Sequence, residues 1–185
     1  MTLTVVSSVA PSVGVLIGRM EDGAPEDLAD FDAWYIGAFP RLAAALYLVG
    51  GDWGLAEDAA NEACMRAVTH WHSQRKTNLD GWSFVVGRNY IRRQAWRKKL
   101  ERQRSRTAAG AASAQNNENE SEIERLDVVQ LLRNLPTRQR DIVVLHYLLD
   151  LPQEEVARRL RISRSTVAST VRELKEKLSP HLDEQ

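Results

Sequence analysis

Hydrophobic and polar positions follow a helical period in two separate stretches of the chain. In residues 26–100, aromatic and aliphatic side chains recur every three or four positions. The same spacing returns in residues 122–180, where an apolar stripe marks one side of the last helix. No alternation long enough for a β-strand interrupts either stretch. The pattern therefore predicts an all-α protein with two small helical domains.

The segment between these stretches has a different composition. Residues 104–121 are small, polar and repetitive, and they cannot bury enough surface to offset the entropy of ordering them. We expect a flexible linker here, between domains at residues 26–103 and 122–185. Residues 1–25, interrupted by Pro11 and Gly14, are expected to form a loosely ordered N-terminal extension.

The C-terminal stretch predicts a helix-turn-helix. A first helix is expected over Thr137 to Leu149. Pro152 suits the first turn of the next helix, and Ser163 suits the N-cap of the last one. The residues expected to pack are Ile142, Val144, Leu145 and Leu148 from the first helix and Val167, Val171, Leu174 and Leu178 from the last. Such a pair of helices places its second member in the DNA major groove.

Charge supports this interpretation. Residues 158–177 contain seven basic residues and two acids. An amphipathic hairpin with a solvated charged face is the plainer alternative, but the local excess of cations favours binding to DNA. The whole chain has no net charge, yet residues 1–62 contain two basic residues and ten acids, whereas residues 82–106 contain nine basic residues and one acid. Separate acidic and basic surfaces suit different partners.

The N-terminal stretch predicts three helices. Gly50 and Gly51 end the first helix. The second, over residues 55–68, has a packing face of small alanine side chains, and the third begins at Trp82 and ends near Lys99. Between the last two, residues 73–81 are expected to form a polar loop. In the third helix, packing is assigned to Trp82, Val85, Val86 and Trp96. Its other face is basic and suits single-stranded nucleic acid, because cations meet phosphates and amides or rings meet unstacked bases.

No catalytic constellation is evident, so the protein is not expected to be an enzyme. His70, His72 and Cys64 make a poor metal site, because neighbouring helical positions diverge. We expect no cofactor, no metal and no small-molecule substrate. A single cysteine, expected in the core, favours a reducing compartment, and no apolar run reaches membrane-spanning length. These features predict a cytoplasmic protein without a membrane partner.

Taken in order, these motifs resemble bacterial RNA polymerase sigma factors of the extracytoplasmic-function type. The N-terminal resemblance rests on Phe31-Asp32-Ala33, Phe39-Pro40-Arg41-Leu42, Ala56-Glu57-Asp58, Asn61-Glu62-Ala63, Trp82 and Arg88-Asn89. The C-terminal resemblance rests on Leu135-Pro136, Gln139-Arg140, Glu154-Glu155-Val156-Ala157, Ile162-Ser163 and Thr166-Val167. Together these motifs span about residues 28–178.

The resemblance implies a function and its residues. The first domain would bind core RNA polymerase and the −10 promoter element, and the second would bind the −35 element. Core binding would use Asp58, Asn61, Glu62 and Arg66. Contacts to the −10 element would come from Lys76, Asn78, Trp82, Arg88, Asn89, Arg92, Arg93 and Arg97. Contacts to the −35 element would come from Arg164, Ser165, Thr166, Ala168, Ser169, Arg172 and Lys175. An anti-sigma factor is a further partner that the resemblance makes plausible.

The sequence also departs from the family pattern. Asn61 replaces the usual Gln, Ala168 and Thr170 replace basic residues, and Arg92-Arg93 occupies a stretch where acids are frequent. Fewer cations in the last helix would weaken its phosphate contacts.

Two other classes of protein remain alternatives. A stand-alone helix-turn-helix regulator would bind duplex DNA without polymerase, although the basic third helix argues against it. An interaction protein would use its helices mainly to bind a regulator.

Overall fold

The computed structural model describes residues 28–74, 78–108 and 127–182, and every regular element in those ranges is helical. The extension 1–25, Lys76 and most of the predicted linker lie outside the described residues. None of the described helices is both long and apolar enough to cross a membrane.

The N-terminal half consists of α1 (Leu28–Gly50), α2 (Trp53–Thr69), the short α3 (Trp71–Gln74) and α4 (Leu79–Ala108). Gly51 ends α1 with a φ of +76°, a conformation that glycine adopts without steric cost. The Asp52 side chain then accepts a hydrogen bond of 2.8 Å from the Leu55 backbone N–H, which caps α2. The predicted break between the first two helices is therefore confirmed.

The core of this half forms where α1, α2 and α4 meet. The predicted packing face of α2, made by Ala59, Ala63 and Ala67, is fully buried, as is Cys64. Burial raises the pKa of the Cys64 thiol to about 12, so the thiol stays protonated at neutral pH. A Cβ on Gly87 would lie 2.6 Å from Leu46 Cδ1, so α4 can approach α1 only without a side chain there.

The C-terminal half contains α5 (Asp127–Asn134), α6 (Thr137–Val143), a π-helical segment (Val144–Leu148), α7 (Gln153–Leu160) and α8 (Arg164–Leu182). The Arg140 side chain stabilises the end of α5 in this half. The Arg140 guanidinium donates hydrogen bonds to the carbonyl oxygens of Leu132, Arg133 and Leu135. One arginine thereby donates to carbonyls at and just beyond the end of α5, where the regular helical hydrogen bonds stop.

The π-helical segment corrects one predicted core position. The Leu149 N–H donates to the Val144 carbonyl at 3.1 Å, a bond that adds one residue to the helical turn. The added residue shifts the register, so Leu149 is 4% exposed whereas Leu148 is 39% exposed. The prediction that Leu148 packs beneath the hairpin was wrong, while Ile142, Val144 and Leu145 are buried as expected.

The third N-terminal helix also differs from its prediction. It begins at Leu79 and runs to Ala108, so residues 79–81 are helical instead of part of a loop, and residues 104–108 are helical instead of linker. The prediction that Trp96 packs in the core was wrong, because its side chain is 66% exposed. Residues 92–105 are all exposed or half-buried, so this part of the helix faces solvent.

The two halves pack against each other through one continuous hydrophobic core that includes residues of both. The α4 helix contacts α7, and α1 contacts α5, α6 and the π-helical segment. Hydrogen bonds cross the same boundary: Arg140 donates to the Val49 carbonyl at 3.1 Å, and Arg159 donates to the Asn78 carbonyl at 2.9 Å. We refer to this packing of the halves as the closed arrangement.

Candidate nucleic-acid and polymerase interfaces

The turn between α7 and α8 has the geometry of a helix-turn-helix. Arg161 ends α7 in the left-handed conformation, with a φ of 55°, and the Ile162 N–H donates to the Ala157 carbonyl. The Ser163 hydroxyl accepts a hydrogen bond of 3.1 Å from the Thr166 N–H and so caps α8, as predicted. These contacts fix the angle at which α8 leaves the turn.

The exposed face of α8 carries every residue that was predicted to contact the −35 element. Val167, Val171 and Leu174 are buried against the rest of the half, which turns the opposite face outward. The exposed residues are Arg164, Ser165, Thr166, Ala168, Ser169, Arg172 and Lys175. Hydroxyls and guanidinium groups on one exposed helical face can contact base edges and phosphates. Thr170, a position where the family usually has a cation, is only 8% exposed.

Two cations of the hairpin are already used inside the protein. Glu155 forms ion pairs with both Arg158 and Arg159. Although burial opposes ionisation, hydrogen bonds from these arginines hold the pKa of Glu155 below its ordinary value. The positive charge counted over residues 158–177 therefore overstates what α7 offers to DNA.

The α4 helix gathers a second group of predicted DNA-binding residues. Asn89, Arg92, Arg93 and Arg97 are all exposed, and with Trp96 they line a shallow depression of about 380 Å³. We call these five residues the α4 basic patch. Sequence reasoning missed Trp96 as part of this surface. The available signal was its position among the cations at 92, 93 and 97, which indicates a turn that lies outside the core.

Arg88 lies apart from that patch. Its Nη2 atom is 2.6 Å from Asp141 Oδ2 in the other half, and the Asp141 side chain is fully buried. Burial raises the pKa of Asp141, while the charges of Arg88, Arg92 and Arg140 partly oppose that shift. In the closed arrangement, Arg88 is therefore engaged by a carboxylate and is not presented to DNA.

The two remaining described residues of the predicted −10 site have structural contacts. The Asn78 side chain accepts a hydrogen bond of 2.9 Å from the Gly81 N–H in the first turn of α4. Trp82 is half-buried, with its ring centroid 5.7 Å from that of His70. The structure does not bring Asn78 and Trp82 into the α4 basic patch, whose lining is formed by residues 89–97.

The residues predicted to bind core polymerase share one side of α2. Asp58 is exposed, and Arg66 forms an ion pair of 2.6 Å with Glu62 one turn away. Asn61 is half-buried, and its Oδ1 atom has no hydrogen-bond partner among the described residues. The stripe thus combines an acidic end at Asp58 with a neutralised pair at Glu62 and Arg66.

Two parts of the chain match known protein families. Residues 38–102 match the family described as Sigma-70 region 2, and residues 125–178 match Sigma-70, region 4. No curated protein matches the sequence significantly.

Solved structures with a similar fold include the sigma factor RpoE in complex with the anti-sigma factor NepR from Bartonella quintana. That match has 22% identity and a TM-score of 0.64, and it covers 83% of this chain and 97% of that chain. CnrH in complex with the cytosolic domain of CnrY matches with 22% identity and a TM-score of 0.54, over 92% of this chain and 97% of that chain.

Together the two family matches cover well over half of the sequence, and the chain belongs to the sigma-70 family. A region 2 followed by a region 4 is the organisation of its extracytoplasmic-function type. The protein is a sigma factor that directs transcription initiation, with core RNA polymerase and promoter DNA as its partners. The alternative of a stand-alone regulator is disfavoured, because it gives no account of the region 2 match.

Proposed function

We propose that the two halves divide promoter recognition between them. The half that contains residues 26–103 binds core polymerase through the α2 stripe and the −10 element through α4. The half at 122–185 binds the −35 element through α8. The observation that carries this assignment is the exposed face of α8, where every predicted −35 residue lies opposite a buried apolar stripe. The range between the halves serves as the linker, shortened by the extension of α4 to Ala108.

The closed arrangement precedes DNA binding in this proposal. Arg88 pairs with Asp141 in the closed arrangement, so its guanidinium becomes available for the −10 strand only after the halves separate. A ligand that binds only the open form shifts the population towards that form. Core polymerase and promoter DNA would therefore both favour opening. Lys76, Asn78 and Trp82 retain their proposed place at the −10 element in the open form.

An anti-sigma protein is a proposed regulator. Both solved structures named above are described as complexes, one with an anti-sigma factor and one with the cytosolic domain of CnrY. A partner that binds both halves of this chain would stabilise an arrangement in which Arg88 stays engaged. The proposal also includes a cytoplasmic location and the absence of catalytic activity, since the work of the protein is recognition.

The decisive experiment is reconstitution with bacterial core RNA polymerase. The full-length chain should co-elute with core enzyme on gel filtration, and the complex should protect both elements of a promoter selected from random DNA. An Asp58→Ala and Glu62→Ala double variant should lose co-elution while keeping its helical circular dichroism. A chain that binds duplex DNA but never binds core enzyme would contradict the proposal and restore the stand-alone regulator.

A further inference from the structure

Trp96 is a large apolar side chain left in solvent at the centre of a basic surface. Its indole is 66% exposed, whereas the other tryptophans of the described chain are buried or half-buried. No aromatic ring stacks on it among the described residues, and no cation covers its face there. Packing within the described chain therefore does not explain a tryptophan at position 96.

The neighbours of Trp96 define the chemistry of a ligand. Asn89, Arg92, Arg93 and Arg97 line the depression beside the indole. In the described ranges, none of these arginines forms an ion pair with a carboxylate. A flat π-surface flanked by available cations and an amide suits a ligand with planar rings and regular negative charges. Single-stranded nucleic acid has both, because every base has a π-face and every residue adds a phosphate.

We propose that Trp96 is a stacking platform for an unpaired base of the opened promoter strand. Arg93 and Arg97 hold the adjacent phosphates, and Asn89 supplies hydrogen bonds to a base edge. Duplex DNA does not fit the same site, because its bases are already stacked on each other. The inference rests on the proposed function and adds one residue, Trp96, with a base-stacking role to the surface of α4.

The closed arrangement leaves this platform accessible. Arg88 is paired with Asp141 at only 15% side-chain exposure, whereas Trp96 and the cations around it face solvent. A single strand can therefore reach Trp96 before the halves separate. The free full-length chain is then a suitable sample, because the contact needs neither core polymerase nor prior opening.

The test compares two short fluorescein-labelled strands of equal length, an oligodeoxyadenylate and an abasic strand, by anisotropy at low salt. The abasic strand keeps the phosphates and lacks the bases. Since stacking on an aromatic side chain contributes about 5- to 150-fold in affinity per base, Trp96→Ala should lose that factor for the oligodeoxyadenylate only. Trp96→Phe should recover most of it. Arg93→Ala should weaken both strands alike, and Leu100→Ala, an exposed apolar control one turn away, should change neither.

Several outcomes would overturn the inference. These are equal affinity of the wild-type chain for the two strands, equal losses for both strands in Trp96→Ala, and no binding of either strand. Circular dichroism of Trp96→Ala separates a folding defect from a lost contact, and Trp96→Phe keeps the question open to measurement if the alanine variant misfolds. Gel filtration with core polymerase is a separate readout. If the chain binds core polymerase but shows no base-dependent affinity, only the stacking role of Trp96 is contradicted. If it fails to bind core polymerase, the proposed function itself is contradicted.

Discussion

The guanidinium of Arg88 and the carboxylate of Asp141 lie 2.6 Å apart and join the two halves of the protein. The pair links the helix proposed to hold the −10 strand to the helix beneath the helix-turn-helix. Its carboxylate is fully buried, and the second oxygen, Oδ1, has no hydrogen-bond partner among the described residues. Burying an ion pair costs free energy, because both charged groups lose their hydration. Removing one partner is more costly still, because the other charge then stays buried without compensation.

Asp141→Ala should favour the open arrangement, because it removes the oxygen atoms that accept from the Arg88 guanidinium, whether Asp141 is charged or protonated, and leaves that mostly buried group without a partner. We expect the closed arrangement to lose about 3 kcal/mol, the low end for breaking a buried pair, since Arg88 keeps some exposure. Energy transfer between dyes at Gly54→Cys and Glu176→Cys measures the separation, and the buried Cys64 should not label. Glu62→Ala, which breaks the exposed pair within α2, serves as the control. Unchanged transfer in Asp141→Ala would remove the pair from closure.

Mild acidification should favour the closed arrangement. Burial raises the pKa of Asp141 when the halves are together, despite the nearby Arg88, Arg92 and Arg140, so the closed form binds the proton more tightly than the open form. The closed form thus gains stability as pH falls through that raised pKa and loses it as pH rises. The same dye pair reports this shift during a pH titration above the onset of acid unfolding. Asp141→Asn should abolish the dependence, and a dependence that persists would assign it to another group.

Gly81→Ala should also separate the halves. A Cβ at Gly81 would lie 2.6 Å from Leu151 Cδ2, and Leu151 is only 1% exposed, so the side chain has little room to move away. Overpacking of this kind costs about 1–3 kcal/mol. Gly37→Ala is the control, because nothing lies within 4 Å of its new Cβ and the exchange within a helix should be mildly stabilising. Equal effects of the two variants on dye separation would contradict close packing at Gly81.

Arg164→Ala should weaken and broaden recognition of the −35 element. If its guanidinium makes a bidentate contact to a base, the variant should lose about 1–3 kcal/mol of binding free energy and relax preference at that base pair. Binding of the holoenzyme to a library of −35 sequences measures both effects. Arg138→Ala removes an exposed arginine of the same half outside α8 and should leave sequence preference unaltered. Unchanged affinity and preference in Arg164→Ala would remove Arg164 from the site.

Asn89→Ala should impair DNA opening more than formation of the closed promoter complex. Its exposed amide is proposed to contact a base that becomes available only after strand separation. Permanganate reactivity of unpaired thymines measures opening, and filter binding at low temperature measures the closed complex. Gln94→Ala removes a half-buried amide from the same helix and provides the control. Equal losses in both assays would contradict the role of Asn89 in opening.

The sequence predicted the fold class because helical periodicity and capping residues are local properties. Ser163 was identified as a cap from its own segment, and the structure confirms it. Leu148 was misplaced because a π-helical turn changes the register without a local sequence signal. The pairing of Arg88 with Asp141 could not be predicted either, since it joins residues far apart in the chain. Exposure of Trp96 depends on where neighbouring helices end, which is also a property of the assembled fold.

The reactivity of the Cys64 thiol can report opening motions of the N-terminal half. It is fully buried among alanines of α2, and its pKa of about 12 keeps it protonated, so an alkylating reagent reacts only when that core opens. The rate of modification, compared with that of an exposed thiol, gives the free energy of the opening. Core polymerase bound to the surface of α2 should slow the reaction without touching the sulfur. One native side chain would thereby measure how strongly a partner stabilises this half.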